Sequence, residues 1–242
     1  KQGEQASKRK RILLQLSVLA GIIILAGGTI LGFQALKAST PTIQPSNMEN
    51  GGIIIGKDLV ALKTGKSPDS PKYTETKENR IQVFVDYLCP YCGQFERANS
   101  SFLEQEVKAG NVQLEIHPTA FIATTTQNDY STRAANAAAA VATYAPDAFF
   151  RFNALMYKDQ PDETSSLSNA KIKSIVKTAL KDSNIKSDKY TKISKAIDEG
   201  SFNAYIEKQT DWAKSHSVPK ADNTTPPLKL GTPTIFVNHK YY

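Results

Sequence analysis

Cys89 and Cys92 are the only thiols in this 242-residue chain, and they stand three apart in Cys89-Pro90-Tyr91-Cys92. Two intervening residues let the sulfurs meet across one helical turn, so the pair can close into a disulfide or open without refolding the chain. An apolar run, Ile81-Gln82-Val83-Phe84-Val85, precedes them and a helix-like pattern follows, which puts the pair at a strand-to-helix junction. There, unpaired backbone N–H groups and the positive end of the helix favour an anion. Cys89 is therefore expected to be a nucleophilic thiolate near neutral pH, its pKa drawn from ~8.5 towards roughly 3.5–7.5. Cys92, one turn further in, would resolve a mixed disulfide by attacking back. This chemistry asks for the Cys89 sulfur to be exposed at the mouth of its helix. The competing reading is half of a structural zinc site. Zinc wants four ligands, and the three histidines, His117, His216 and His239, are scattered without ligand spacing, so no metal and no cofactor beyond the redox-active pair is expected.

Elements able to hold such a pair follow from the apolar patterning. Ile53-Ile54-Ile55 after Gly51-Gly52 is a short strand, and Ile81–Asp86 is a strand whose nearly continuous apolar run suits a central position covered on both faces. Phe95, Phe102, Leu103 and Val107 suit one face of a helix closed by Ala109-Gly110-Asn111. Val112–Ile116 alternates as a strand and stops at Pro118. The three make a βαβ unit with the cysteines at its first turn. Helical signals then run over Ser131–Ala145, Phe149–Tyr157, a segment capped by Ser168 with Ile172, Ile175, Val176, Ala179 and Leu180, and another marked by Phe202, Tyr205, Ile206 and Ala213. Leu59–Asn79 and Ser217–Lys229 read as polar loops. A β signal returns at Gly231–Asn238.

Charge separates the N-terminal part from the rest. The chain carries +7, but from Ile53 onward 24 Lys and Arg oppose 21 Asp and Glu, a balance of +3. No basic stripe interleaved with aromatics appears, which argues against nucleic acid. Lys8-Arg9-Lys10-Arg11 instead precedes Ile12–Leu36, where no side chain is charged. As a helix that stretch would extend ~37 Å, enough for a hydrocarbon core of ~30 Å. The basic cluster predicts the N-terminus inside and the remainder outside. The expected order is a cytoplasmic basic segment over 1–11, a transmembrane signal anchor over 12–36, an extracytoplasmic linker over 37–52 and a folded domain over 53–242. A cleaved signal peptide is the competitor, but its shorter apolar core and A-x-A-like site do not fit. Having no cysteine beyond the pair suits an oxidising compartment.

Phe84-Val85-Asp86-Tyr87-Leu88-Cys89-Pro90-Tyr91-Cys92 and Gly231-Thr232-Pro233-Thr234-Ile235-Phe236-Val237, separated by a helical insertion over about 118–230, resemble the thioredoxin superfamily in its DsbA-like branch. The resemblance spans roughly Ile53 to the C-terminus. It implies an α/β thioredoxin fold with an inserted helical domain, and a cis Thr232–Pro233 bond facing the cysteines, with the Thr232 backbone available to an extended substrate segment. Pro90 and Tyr91 would tune the pair, Pro90 also being good chemistry for a first helical turn. Asp86 has two readings: a proton relay, or a residue that ends the strand and organises the turn, the second favoured. In thioredoxin a buried acid lies six residues before the first cysteine; here that position is Val83, so no proton acceptor for Cys92 is identified.

The expected activity is that of a membrane-anchored thiol–disulfide oxidoreductase outside the cytoplasm, with exported protein thiols or disulfides as substrates and a membrane redox partner to reset the pair. Oxidation, reduction and isomerisation all use the same two sulfurs. Resemblance and location favour oxidation. The rival from another class is a tethered peptide-binding or chaperone module that uses the groove beside Pro233 without turnover.

Overall fold

Side chains on two parallel strands, β2 (Asn79–Val85) and β3 (Val112–Pro118), alternate between a dry face and a polar one, and that alternation organises the sheet. In the register Ile81 meets Leu114 and Val83 meets Ile116, while Gln82 meets Glu115 and Phe84 meets His117. The computed structural model describes residues 42–48, 50–62, 79–122, 129–186, 188–218 and 228–241. Among them a five-stranded sheet has the order β1-β3-β2-β6-β7, with β1 at Ile53–Ile55, β6 at Thr234–Val237 and β7 at Lys240–Tyr241. Only the β2–β3 pair is parallel; β1, β6 and β7 join antiparallel. The thioredoxin-like α/β arrangement expected from the motifs is present.

Helix α1 (Pro90–Ala109) connects β2 to β3 and buries Leu103 and Val107 on the dry face. Gly110 ends it in the left-handed region at φ 77°, where its N–H reaches back to the helix carbonyls. Phe102, expected on the same buried stripe, is instead 58 % exposed. Leu103 and Val107 are four apart and define the stripe; Phe102 sits one residue off it. α2 (Tyr130–Tyr144) is alanine-rich and buried along most of its length, so neighbouring helices approach it closely. A short 3₁₀ turn at Pro146–Ala148 leads into α3 (Phe149–Lys158). α4 (Asn169–Asp182) starts at Ser168, whose hydroxyl accepts from the Lys171 N–H at 3.2 Å. α5 (Asp188–Glu199) and α6 (Asn203–Ser215) complete the helical part.

The sheet departs from expectation on its second face. β2 is central, but that face carries Arg80, Gln82 and Phe84 rather than a second apolar layer. Arg80 Nη2 donates to Gln113 Oε1 at 3.0 Å and Gln82 Nε2 to Glu115 Oε2 at 2.9 Å. Glu115 Oε1 lies 3.0 Å from His117 Nε2, and the His117 ring stacks on Phe84 at 4.2 Å. Arg80, Gln82, Gln113 and Glu115 satisfy one another, which lowers the cost of burying them. His117 is thus a strand residue held between an acid and an aromatic ring. Near the cysteine end of the sheet the same face is covered by Ala213 of α6 and by Leu230. The loop expected over Ser217–Lys229 contains a small antiparallel ribbon, β4 (Ser217–Val218) with β5 (Leu228–Lys229).

The span expected over Ile12–Leu36 lies outside the described residues. Among the described residues no helix is long and apolar enough to cross a membrane.

Candidate active site

β2 ends at Val85, and a short turn carries the chain into α1. The Cys89 N–H closes that turn on the Asp86 carbonyl at 3.0 Å. Cys89 is the N-cap of α1 with extended backbone (φ −70°, ψ 117°), and Pro90 takes the first helical position, where its missing N–H costs nothing. The Gly93 N–H makes the first helical bond to the Cys89 carbonyl at 3.2 Å. Both cysteines are in the dithiol state.

From the other side comes the loop before β6. Thr232–Pro233 is a cis peptide bond, and Cys89, when protonated, donates its Sγ–H to the Thr232 carbonyl at 3.2 Å. The two sequence motifs therefore meet, although more than half the chain separates them. One expectation is corrected: Cys89 is not exposed. Only 3 % of its surface is accessible and 1 % of that of Cys92, whereas Tyr91 between them is 68 % exposed. The Thr232 loop lies over Cys89, its carbonyl 3.2 Å from the sulfur.

The two thiols are pushed in opposite directions. Cys89 falls to about 6, chiefly because the Cys92 thiol donates to its thiolate; burial opposes this, and the Thr232 hydroxyl and the backbone N–H groups of Cys92 and Tyr91 add to it. Cys92 rises far above an ordinary thiol, because ionising it would forfeit its hydrogen bond with Cys89 and because it is buried. At pH 7 a group with a pKa near 6 is roughly nine-tenths ionised, so Cys89 is the thiolate and Cys92 the thiol.

Asp86 is fully buried and accepts three hydrogen bonds. Oδ1 takes the Leu88 N–H and the Ser131 hydroxyl, each at 2.8 Å, and Oδ2 takes the Ile122 N–H at 2.8 Å. It ties the turn before Cys89 to α2 and to the loop after β3. Burial raises its pKa, and those bonds pull the other way.

Two neighbours escaped the sequence reading. Gln160, just beyond α3, donates through Nε2 to the carbonyls of Tyr87 at 3.1 Å and Cys89 at 2.8 Å. Its Oε1 lies against Gly93, where a Cβ would collide with it, so the glycine makes room for the clamp. Glu96 follows Cys92 by one turn on the same face of α1. Burial lifts it to about 7, with a hydrogen bond from Asn153 opposing the rise. Burial pushes the hydroxyls of Tyr87 and Tyr157 well above their ordinary value, the Glu96 carboxylate adds to the rise, and the two rings lie 5.0 Å apart. The only sequence signal for Glu96 was its spacing of four from Cys92. Gln160 had none, since its partners lie some seventy residues away.

A profile of the thioredoxin family matches residues 75–242. The reduced DsbA of Mycobacterium tuberculosis superposes with a TM-score of 0.57 at 27% identity, covering 79% of this chain and 84% of that one. The reduced disulfide oxidoreductase DsbG of the same organism gives 0.60 at 24% identity, with 79% of each chain covered. MdbA of Actinomyces oris, a thiol-disulfide oxidoreductase, gives 0.55 at 17% identity, covering 85% of this chain and 86% of that one. A search of curated protein sequences finds no match.

Proposed function

Because the chain belongs to the thioredoxin family, as a DsbA-like thiol–disulfide oxidoreductase, we propose that it oxidises pairs of thiols in exported proteins through Cys89 and Cys92. The observation that carries this reading is the separation of the two acidities, with Cys89 at about 6 and Cys92 raised. In the oxidised protein the incoming substrate shifts the Thr232 loop off the buried Cys89 sulfur, and its thiolate attacks Sγ of Cys89. The Cys89–Cys92 bond breaks, and the Cys92 sulfur leaves with the electron pair and takes a proton. A second substrate thiolate then attacks the substrate sulfur of the mixed disulfide and expels the Cys89 thiolate. The substrate loses two electrons and two protons, and the protein keeps the electrons as its dithiol.

A low pKa favours leaving over attack in thiol exchange, so a Cys89 near 6 speeds the release step of oxidation. The same interactions stabilise the dithiol over the disulfide, which makes the couple more oxidising. Thr232 and Pro233 would align an extended substrate segment beside Cys89, and Tyr91 offers it an exposed ring. Residues 12–36, uncharged and preceded by Lys8-Arg9-Lys10-Arg11, support a single-pass anchor in the bilayer with the catalytic domain outside the cytoplasm. There an oxidising membrane partner would regenerate the disulfide.

The direction is tested by equilibrating the protein with glutathione and its disulfide and reading the reduced fraction. A potential nearer about −120 mV than about −270 mV is expected. A value at the reducing end of that range removes the oxidase assignment.

A further inference from the structure

Trp212, the only tryptophan in the chain, is 47 % exposed on the last turn of α6. Its indole stacks on the His216 ring at 4.0 Å with the planes 28° apart. The ring is fixed in place: His216 Nδ1 lies 2.6 Å from the Trp212 carbonyl, which can only accept, so Nδ1 carries the proton. The pair forms a rigid aromatic platform with part of its surface facing water.

Two contacts tie the end of α6 to the loops around the cysteines. The His216 carbonyl accepts from the Leu230 N–H at 3.2 Å, and Leu230 directly precedes Gly231-Thr232-Pro233, the loop whose carbonyl meets Cys89 Sγ. Lys214, between the two aromatic residues, lies over the Phe121 ring at 5.6 Å. The next residue, Ile122, bonds Asp86. Thr232 is two residues from Leu230, about 7.6 Å of chain, so the platform lies within reach of a bound segment of roughly four extended residues.

We propose that the Trp212–His216 platform is a specificity surface for the protein substrate, taking an apolar or aromatic side chain a few residues from the substrate cysteine. The occupant is an extended segment of the substrate, because the His216 backbone is hydrogen-bonded to Leu230, which leads into the Thr232 loop proposed above to align such a segment. Aromatic faces reward stacking, and Lys214 is already engaged with Phe121, so the surface selects for rings rather than for charge. The inference rests on the reading that Cys89 forms mixed disulfides with proteins.

The test uses the full chain carrying Cys92→Ala and two disulfide probes. One is a peptide activated at its single cysteine, with phenylalanine three residues away; the other is hydroxyethyl disulfide. Capture of the peptide is expected to shift the Trp212 emission, and capture of the small probe to leave it unchanged. Adding Trp212→Ala is expected to slow peptide capture about tenfold, the scale of one aromatic pair, with the small probe unaffected and Trp212→Phe close to the parent. Equal rates with the peptide, or equal slowing with both probes, would overturn the platform. Failure of the small probe to react at all would instead sink the redox reading beneath it.

Discussion

Replacing Cys92 with Ala should stop turnover while leaving Cys89 able to capture substrate. The buried Cys92 thiol is held against Cys89 by a direct hydrogen bond, and intramolecular attack at such proximity corresponds to effective concentrations far above any thiol in solution. Losing it should cut multiple-turnover oxidation by at least about three orders of magnitude. Mixed disulfides through Cys89 should then accumulate and be visible by mass spectrometry, whereas Cys89→Ala should capture nothing. The same substitution removes the strongest contribution to the acidity of Cys89, so its alkylation midpoint should climb from about 6 towards that of an ordinary thiol. Retained turnover in Cys92→Ala would mean that the resolving role has been misplaced.

Asp86→Ala is expected to cost about 3–5 kcal/mol of folding stability. It would leave the Leu88 and Ile122 N–H groups and the Ser131 hydroxyl without their acceptor in a site closed to water. Asp86→Asn should cost less, since one oxygen remains. The comparison also has a pH signature. Burial holds this carboxyl above its usual 3.8, and a raised carboxyl pKa contributes stability at low pH that is lost as pH rises through the folded value. Wild type should therefore lose stability relative to Asp86→Asn as pH rises from about 4. Denaturant unfolding of the dithiol form reads both effects. Full stability in Asp86→Ala with a collapse of exchange rate alone would make Asp86 a proton relay instead of the organiser of the turn.

Local chemistry was the legible part. The spacing of Cys89 and Cys92, the strand before them and the Gly231-Thr232-Pro233 motif each announce themselves within a few residues, and the structure brings the two motifs to 3.2 Å. Helix α2 was plain from its alanines, and α4 from Ser168 and the apolar stripe after it. Helix α5 was not read, because Ile193, Ala196 and Ile197 are a sparse apolar set among lysines and acids, and the helix is held by packing against α2 and α4. The polar face of β2 was misjudged for a related reason. Gln82 looked like an interruption in an apolar run, when it belongs to a strip with Arg80, Glu115 and Gln113 that only strand pairing creates. The covering of Cys89, the Gln160 clamp and the Ser131 bond to Asp86 all join residues from separate elements, so no window of sequence contains them. Glu96 lies between these cases: its spacing from Cys92 is visible in the sequence, but its burial beside Asn153 is not.

The central claim is that Cys89 is a thiolate at neutral pH while Cys92 is not, and ultraviolet absorbance of the thiolate, followed against pH on the fully reduced chain, tests it most directly. One ionisation centred near 6, absent from Cys89→Ala and from the oxidised protein, is the expected result. A single midpoint near 8.5, that of an unperturbed thiol, or one near 6 that survives Cys89→Ala, would contradict it.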